Sequence, residues 1–176
     1  MEKMRQHLAE RGLNPALYNG VFLADDSVTF ALWNLSGQMV GYQTYRPDMP
    51  KAYDGDPREQ RYFTFVSRFG GRTPELAVWG METVRYSAPL FLCEGVFDAC
   101  RLHTLGLACV ATLGNDPKPL RAWLRCLPNR TVAVCDGDAA GRKLAKFADE
   151  AVYLPDETDA GDLSEVDLRA ALAAYL

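Results

Sequence analysis

The chain has 176 residues, 48% hydrophobic and 24% charged, enough for one domain with a small annex. No apolar run approaches the ~20 residues that span a bilayer, and the start MEKMRQHLAERG lacks a signal peptide's apolar core, so a cytoplasmic protein with no membrane partner is expected. The formal net charge of −4 argues against a generally basic nucleic-acid-binding surface but leaves room for a local basic patch.

In chain order, residues 1–12 place Met4, Leu8 and Leu13 at roughly helical spacing, with Gly12 as a stop. SVTFALWNL and QMVGYQTYR read as strands joined by a turn at Ser36-Gly37. Residues 47–61 are rich in Pro, Gly and charge and read as a loop, RYFTFVSRF as a further strand, and Gly70-Gly71 as its end.

Beyond residue 88 strands and helices alternate. PLFLCEG, ACVATLG, RTVAVCDGD and VYLP read as strands; VFDACRLHTLG, PKPLRAWLRCLP and AAGRKLAKFADEA read as helices. Continuous apolar strands between helices predict an α/β architecture, a parallel sheet with helices on both faces, preceded by a small α+β subdomain with antiparallel strands. The expected division is 1–87 for the small subdomain, 88–163 for the α/β domain, and 164–176 for a terminal helix packed on it and capped by Asp162 or Ser164. The five cysteines, an odd number without a C-x-x-C pair, read as buried, reduced thiols, four of them among aliphatic residues. His7 and His103 read as surface or boundary residues, and Trp33, Trp79 and Trp123 as core or hairpin anchors.

Glu94, Asp136 and Asp138 fall at the carboxyl ends of predicted parallel strands, where ligands bind in open α/β sheets. Alternation along a strand is expected to turn Asp136 and Asp138 to one side. Asp156, Glu157, Asp159 and Asp162 follow the fourth strand. Each ~4 Å carboxylate pair costs roughly 4 kcal/mol at an effective dielectric near 20, so such a cluster takes up protons or a cation. All-oxygen ligation favours Mg²⁺, then Mn²⁺. The competing reading, that strand-end acids cap the next helix and face solvent, suits a single Asp better than this set.

Glu94-Gly95-Val96-Phe97-Asp98-Ala99, Leu113-Gly114, and Asp136-Gly137-Asp138-Ala139-Ala140-Gly141, in this order, resemble the Toprim domain, most closely that of bacterial-type DNA primases and phage primase–helicases. The resemblance implies that Glu94, Asp136 and Asp138 hold catalytic divalent cations and that Asp98 supports them. It makes Asp159 the counterpart of the first acid of a later pair, with Asp162 a stand-in for the second at altered spacing. WNLSGQMVGYQTYRP, PKAY and VWGMETV resemble the subdomain before Toprim, which implies a basic track including Arg46 and Lys51; solvated loop charges are the alternative, with Asp48, Asp54 and Asp56 nearby. Arg142 and Lys143, opening a predicted helix, are candidates for phosphate contact against a plain wet helix face.

The implied activity is that of a stand-alone primase-like nucleotidyltransferase of phage or mobile-element type, joining ribonucleotides on single-stranded DNA. Its partners would be single-stranded DNA or RNA, nucleoside triphosphates, and a replicative helicase or a separate zinc-bearing protein, since no cysteine precedes Cys93 and no P-loop is present. A metal-dependent Toprim nuclease and a non-catalytic nucleic-acid- or replisome-binding protein are the two rivals.

Overall fold

The computed structural model describes all residues except 53, 71 and 72, and the side chains of all these but 69, 73 and 74. Tyr53 of the PKAY segment and Gly71 of the expected strand stop lie outside the described residues. Two compact units form, one of Met1–Glu10 with Asn14–Trp79, the other of Arg11–Leu13 with Gly80–Leu176. Among the described residues no helix is long and apolar enough to cross a membrane.

The first unit opens with α1 (Glu2–Glu10), which buries Met4 and Leu8. An antiparallel sheet follows in the order β1 (Val21–Leu23), β2 (Val28–Trp33), β3 (Met39–Tyr45) and β4 (Tyr62–Val66). The β2–β3 turn is held by Asn34, whose Oδ1 accepts from the backbone N–H groups of Ser36 and Gln38, and Gly37 supplies the positive φ of 74°. Phe30 and Trp79 are fully buried and meet edge to face, and Tyr18 lies against the same indole. His7 is half-buried and hydrogen-bonded to the Tyr45 hydroxyl at 2.9 Å, as suits a boundary residue.

Two features of this unit were not expected from the sequence. Strand β1 has only three residues, too few for a period-two pattern to register. The RYFTFVSRF segment is not one strand: β5 (Arg68–Phe69) separates from β4 and pairs antiparallel with β6 (Thr73–Pro74).

The second unit is built on a parallel sheet in the order β10-β9-β7-β8. In chain order it comprises β7 (Leu90–Cys93), α2 (Val96–Thr104), β8 (Ala108–Ala111), α3 (Arg121–Cys126), β9 (Thr131–Cys135), a 3₁₀ segment (Gly141–Phe147), β10 (Glu150–Tyr153) and α4 (Glu165–Ala171). Every residue of β7, β8 and β9 is buried, which is why these strands read as unbroken apolar runs. Four cysteines are buried and free as expected, but Cys126 is exposed, because it ends α3, which buries only Leu124. From β7 the chain steps outward to β8 and then returns past β7 to β9 and β10. Right-handed crossovers therefore put α2 on one face and α3 with the 3₁₀ segment on the other.

Three expectations change here. The segment AAGRKLAKFADEA is not an α-helix: it forms the 3₁₀ segment, and Glu150 and Ala151 join β10. A 3₁₀ rise of ~2.0 Å carries seven residues about 14 Å, close to the ~16 Å length of β9 that the return must match; α-geometry would fall short. The terminal helix α4 ends at Ala171 and a 3₁₀ turn (Ala173–Tyr175) follows; Ser164, not Asp162, is its N-cap, accepting from the Asp167 N–H. The units divide at Trp79/Gly80 rather than at 87/88, because residues 80–88 are tied to β8 and to the β9 approach: the Thr83 hydroxyl donates to the Cys109 carbonyl at 3.0 Å.

Buried Asn129 donates through Nδ2 to the carbonyls of Arg85 and Ala88, both at 2.7 Å, and so fixes the chain entering β7. Asn129→Ala removes two side-chain hydrogen bonds to the chain entering β7 and is expected to cost about 2 kcal/mol, measured by urea denaturation. A loss under about 0.5 kcal/mol contradicts this anchoring role.

Candidate functional site

Strands β7 and β9 are neighbours whose following crossovers leave on opposite faces, so a crevice opens beyond their carboxyl ends. Glu94 directly follows β7 and Asp136 directly follows β9. The Asp136–Asp138 turn faces the loop after β10, and together they form a cleft of about 140 Å³ lined by Asp136, Gly137, Asp138, Glu157, Thr158 and Asp159.

The turn holds its shape through backbone contacts. Asp138 Oδ1 accepts from the Gly141 N–H at 2.5 Å, and the Gly137 N–H donates to the Thr158 carbonyl at 2.9 Å. A Cβ on Gly137 would lie 1.8 Å from the Pro155 carbonyl oxygen, so only glycine lets the β10 loop close on the two aspartates. Asp136 and Asp138 thus share the cleft because of a turn, whereas strand alternation was the expected cause: β9 ends at Cys135 and Asp138 lies outside it.

Burial, then the carboxylates of Asp98, Glu94, Asp159 and Asp138, push the Asp136 carboxyl up to about 7. Its Oδ1 is buried and has no hydrogen-bond partner among the described residues. The Glu94 carboxyl is also raised, by burial and by Asp138, with a hydrogen bond from Asn115 opposing. Glu94 is half-buried and does not line the cleft itself.

Asp98 bridges two loops. Its Oδ2 accepts from the Gly95 N–H at 2.8 Å at the start of α2, and its Oδ1 accepts from the Gly161 N–H at 2.9 Å. One buried carboxylate thereby joins the β7–α2 turn to the β10–α4 loop. Burial, then Asp159, raise it to about 7 against the two backbone donors and Arg11. Asp162 donates its backbone N–H to Asp159 Oδ1 at 2.9 Å, and its carboxylate lies 3.8 Å from Arg11 rather than on the cleft.

Arg142 and Lys143 are exposed on the first turn of the 3₁₀ segment, beyond Asp138. A helix amino-terminus was their expected setting; a 3₁₀ segment occupies it. Arg46 and Lys51 belong to the first unit, Arg46 half-buried and Lys51 exposed. Glu157 and Asn115 carry no motif that would assign them a role from sequence. Glu157 stands at φ 58°, unusual for a residue with a side chain, and its only sequence signal is the acidic run around it.

The acids fit a hard divalent cation by donor chemistry: oxygen ligands only, and a buried carboxylate oxygen lacking a donor. Among the described residues no three acidic, His or Cys side chains already stand as a ligand set.

The folded pKa of Asp98 lies above its unfolded value, so the folded state holds the proton more tightly between about 4 and 7. Stability without divalent cation is therefore expected to fall as pH rises through this window and to level off above it. The decline is on the order of a few kcal/mol at most, read from urea midpoints at pH 5 and 8 in EDTA. Unchanged or rising stability over that range contradicts a buried, uncompensated acid cluster.

An antiparallel sheet followed in the chain by a parallel sheet with helices is the fold of bacterial DNA primase catalytic cores. The chain superposes on the zinc-binding and RNA polymerase domains of the Aquifex aeolicus primase with a TM-score of 0.70 and 17% identity, covering 99% of this chain and 56% of that one. It also matches the RNA polymerase domain of Mycobacterium tuberculosis primase DnaG (TM-score 0.61, 20% identity, 96% and 62% covered). A third match is a DnaG primase catalytic domain bound to single-stranded DNA (TM-score 0.59, 18% identity, 100% and 60% covered). The chain thus spans less than two thirds of each of these structures. No family model matches it, and no curated protein matches it in sequence.

Proposed function

We propose that the protein is a primase-type nucleotidyltransferase that joins ribonucleotides on a single-stranded DNA template in a divalent-cation-dependent reaction. The observation that carries this reading is the cleft shared by Asp136, Asp138 and Asp159 at the switch point, with Glu94 on the adjacent strand end, in a primase-core fold.

Asp136 and Asp138 would hold Mg²⁺ or Mn²⁺, with Glu94 and Asp159 completing the oxygen donors. When bound, the cation neutralises charge on the leaving pyrophosphate and activates the attacking hydroxyl. The chain's own residues prepare the site: Gly137 lets the β10 loop close, Asp98 clamps that loop to the start of α2, and Asn115 orients Glu94. Arg142 and Lys143, exposed past Asp138, are suited to nucleotide phosphates. Arg46 and Lys51 are proposed contacts for the template strand. No side-chain base is needed for this chemistry.

With single-stranded DNA, labelled ribonucleotides and Mg²⁺ or Mn²⁺, short oligoribonucleotides are expected, and Asp138→Ala should abolish them. Shortening of labelled DNA without added nucleotides would replace this reading by the nuclease. Absence of both activities, with replication proteins bound, would favour the binding role.

A further inference from the structure

The opposite end of the parallel sheet carries a second cleft, of about 170 Å³. Its walls include Arg121 and Arg125 from α3, Lys146 and Phe147 from the 3₁₀ segment, Thr131 at the start of β9, and Asp149 just before β10. The acidic cleft lies past the other end of β9, and the five residues of that strand separate the two by about 16 Å. The acids therefore neither use this cleft nor cancel its charge.

Three cations and one aspartate line this cleft, and Asp116 outside it also attracts Lys146. Among the described residues Arg121, Arg125 and Lys146 form no ion pair. Asp149 Oδ2 is already committed: it accepts from both the Thr131 N–H and the Thr131 hydroxyl at 2.8 Å, which hold its carboxyl below the usual range. Arg121 is itself positioned, with its guanidinium carbon 5.0 Å from the centroid of the buried Phe147 ring. A guanidinium stacked on an aromatic face keeps its N–H edge free for two oxygens of an anion.

We infer that this cleft binds a phosphate group, the guanidinium edge of Arg121 meeting its oxygens and Arg125 and Lys146 supplying the remaining charge. Two sources offer that chemistry: the backbone of single-stranded nucleic acid and a free nucleotide or phosphate. The 3₁₀ segment runs beside β9 from the acidic end to this one and exposes Arg142, Lys143 and Lys146 along the way, a path suited to a polyanion.

Binding is measured on the full chain in EDTA, so that no divalent cation at the acidic cleft contributes. The probes are a fluorescent 12-nucleotide oligothymidylate, ATP and inorganic phosphate. The double variant Arg121→Ala/Arg125→Ala is expected to weaken binding by about 10-fold or more, as for loss of charge-assisted hydrogen bonds. If the backbone is the source, oligonucleotide affinity falls and its salt slope drops by about 0.7 for each phosphate no longer neutralised. If the free anion is the source, only ATP and phosphate affinity falls. Lys146→Glu, an exposed charge reversal that leaves the Phe147 packing intact, should act in the same direction. Unchanged affinity for all three probes in both variants overturns the inference. Primer synthesis is scored separately, so its absence leaves this test intact.

Discussion

Replacing Asp136 by Asn is expected to do two opposite things: lower the proposed divalent-cation-dependent nucleotidyl transfer by roughly 10³-fold, and raise the unfolding temperature in EDTA. The first follows from losing a proposed charged oxygen ligand, an interaction that would contribute several kcal/mol to transition-state charge neutralisation. The second follows from burial. Asp136 Oδ1 has no donor among the described residues, and burial together with four nearby carboxylates already opposes its ionisation at neutral pH. An amide of the same shape removes the charge, and its NH₂ finds acceptors among those carboxylates. A gain of about 1 kcal/mol, or 2–4 °C for a chain of this size, is the expected scale. Calorimetry in EDTA and primer synthesis in Mg²⁺ measure the two arms. A variant that is both active and less stable would show that Asp136 is a structural acid, not a ligand.

Gly137→Ala is expected to be the most damaging small substitution in the second unit. The added methyl would meet the Pro155 carbonyl oxygen at 1.8 Å, Pro155 C at 2.7 Å and Asp156 Cα at 2.9 Å, all backbone atoms that cannot rotate away. The β10 loop must withdraw, breaking the Gly137–Thr158 hydrogen bond and opening the cleft. A cost of about 3 kcal/mol, hence roughly 6–12 °C, is expected, with loss of the proposed primer synthesis. Gly114→Ala is the matched control: nothing lies within 4 Å of its would-be Cβ and its φ is not positive, so stability should stay within about 0.5 kcal/mol. Gly37→Ala falls between, at about 1 kcal/mol, since space is open but φ is +74°. Equal melting of Gly137→Ala and Gly114→Ala would show that the loop does not close on the turn.

Several features were legible because they are local. Unbroken apolar runs at 90–93, 108–111 and 132–135 reveal buried parallel strands, since both faces of each are covered. Ser36-Gly37 marks a turn by its own backbone chemistry, although the Asn34 side chain that holds it was not foreseen. The 3₁₀ return was not legible: residues 139–151 have ordinary helical composition, and only the length of β9 that they must retrace favours the steeper rise. β1, at three residues, offers too little pattern to read.

The acids divide in the same way. The positions of Glu94, Asp136 and Asp138 at strand ends came from the sequence, because strand ends are set by where the apolar runs stop. Which strands are neighbours did not, since chain order is β7, β8, β9, β10 while the sheet runs β10-β9-β7-β8. Only that order puts the crevice between β7 and β9 and brings Glu94 near Asp136. Pairings across long separations were equally hidden: Asp98 to Gly161, Pro155 over Gly137, and the basic cleft assembled from α3, the 3₁₀ segment and the starts of β9 and β10. A sequence specifies how each residue behaves toward its chain neighbours and toward water. Which distant backbone comes to rest against it is decided by sheet order and packing, and in this protein those decide how the acidic site closes.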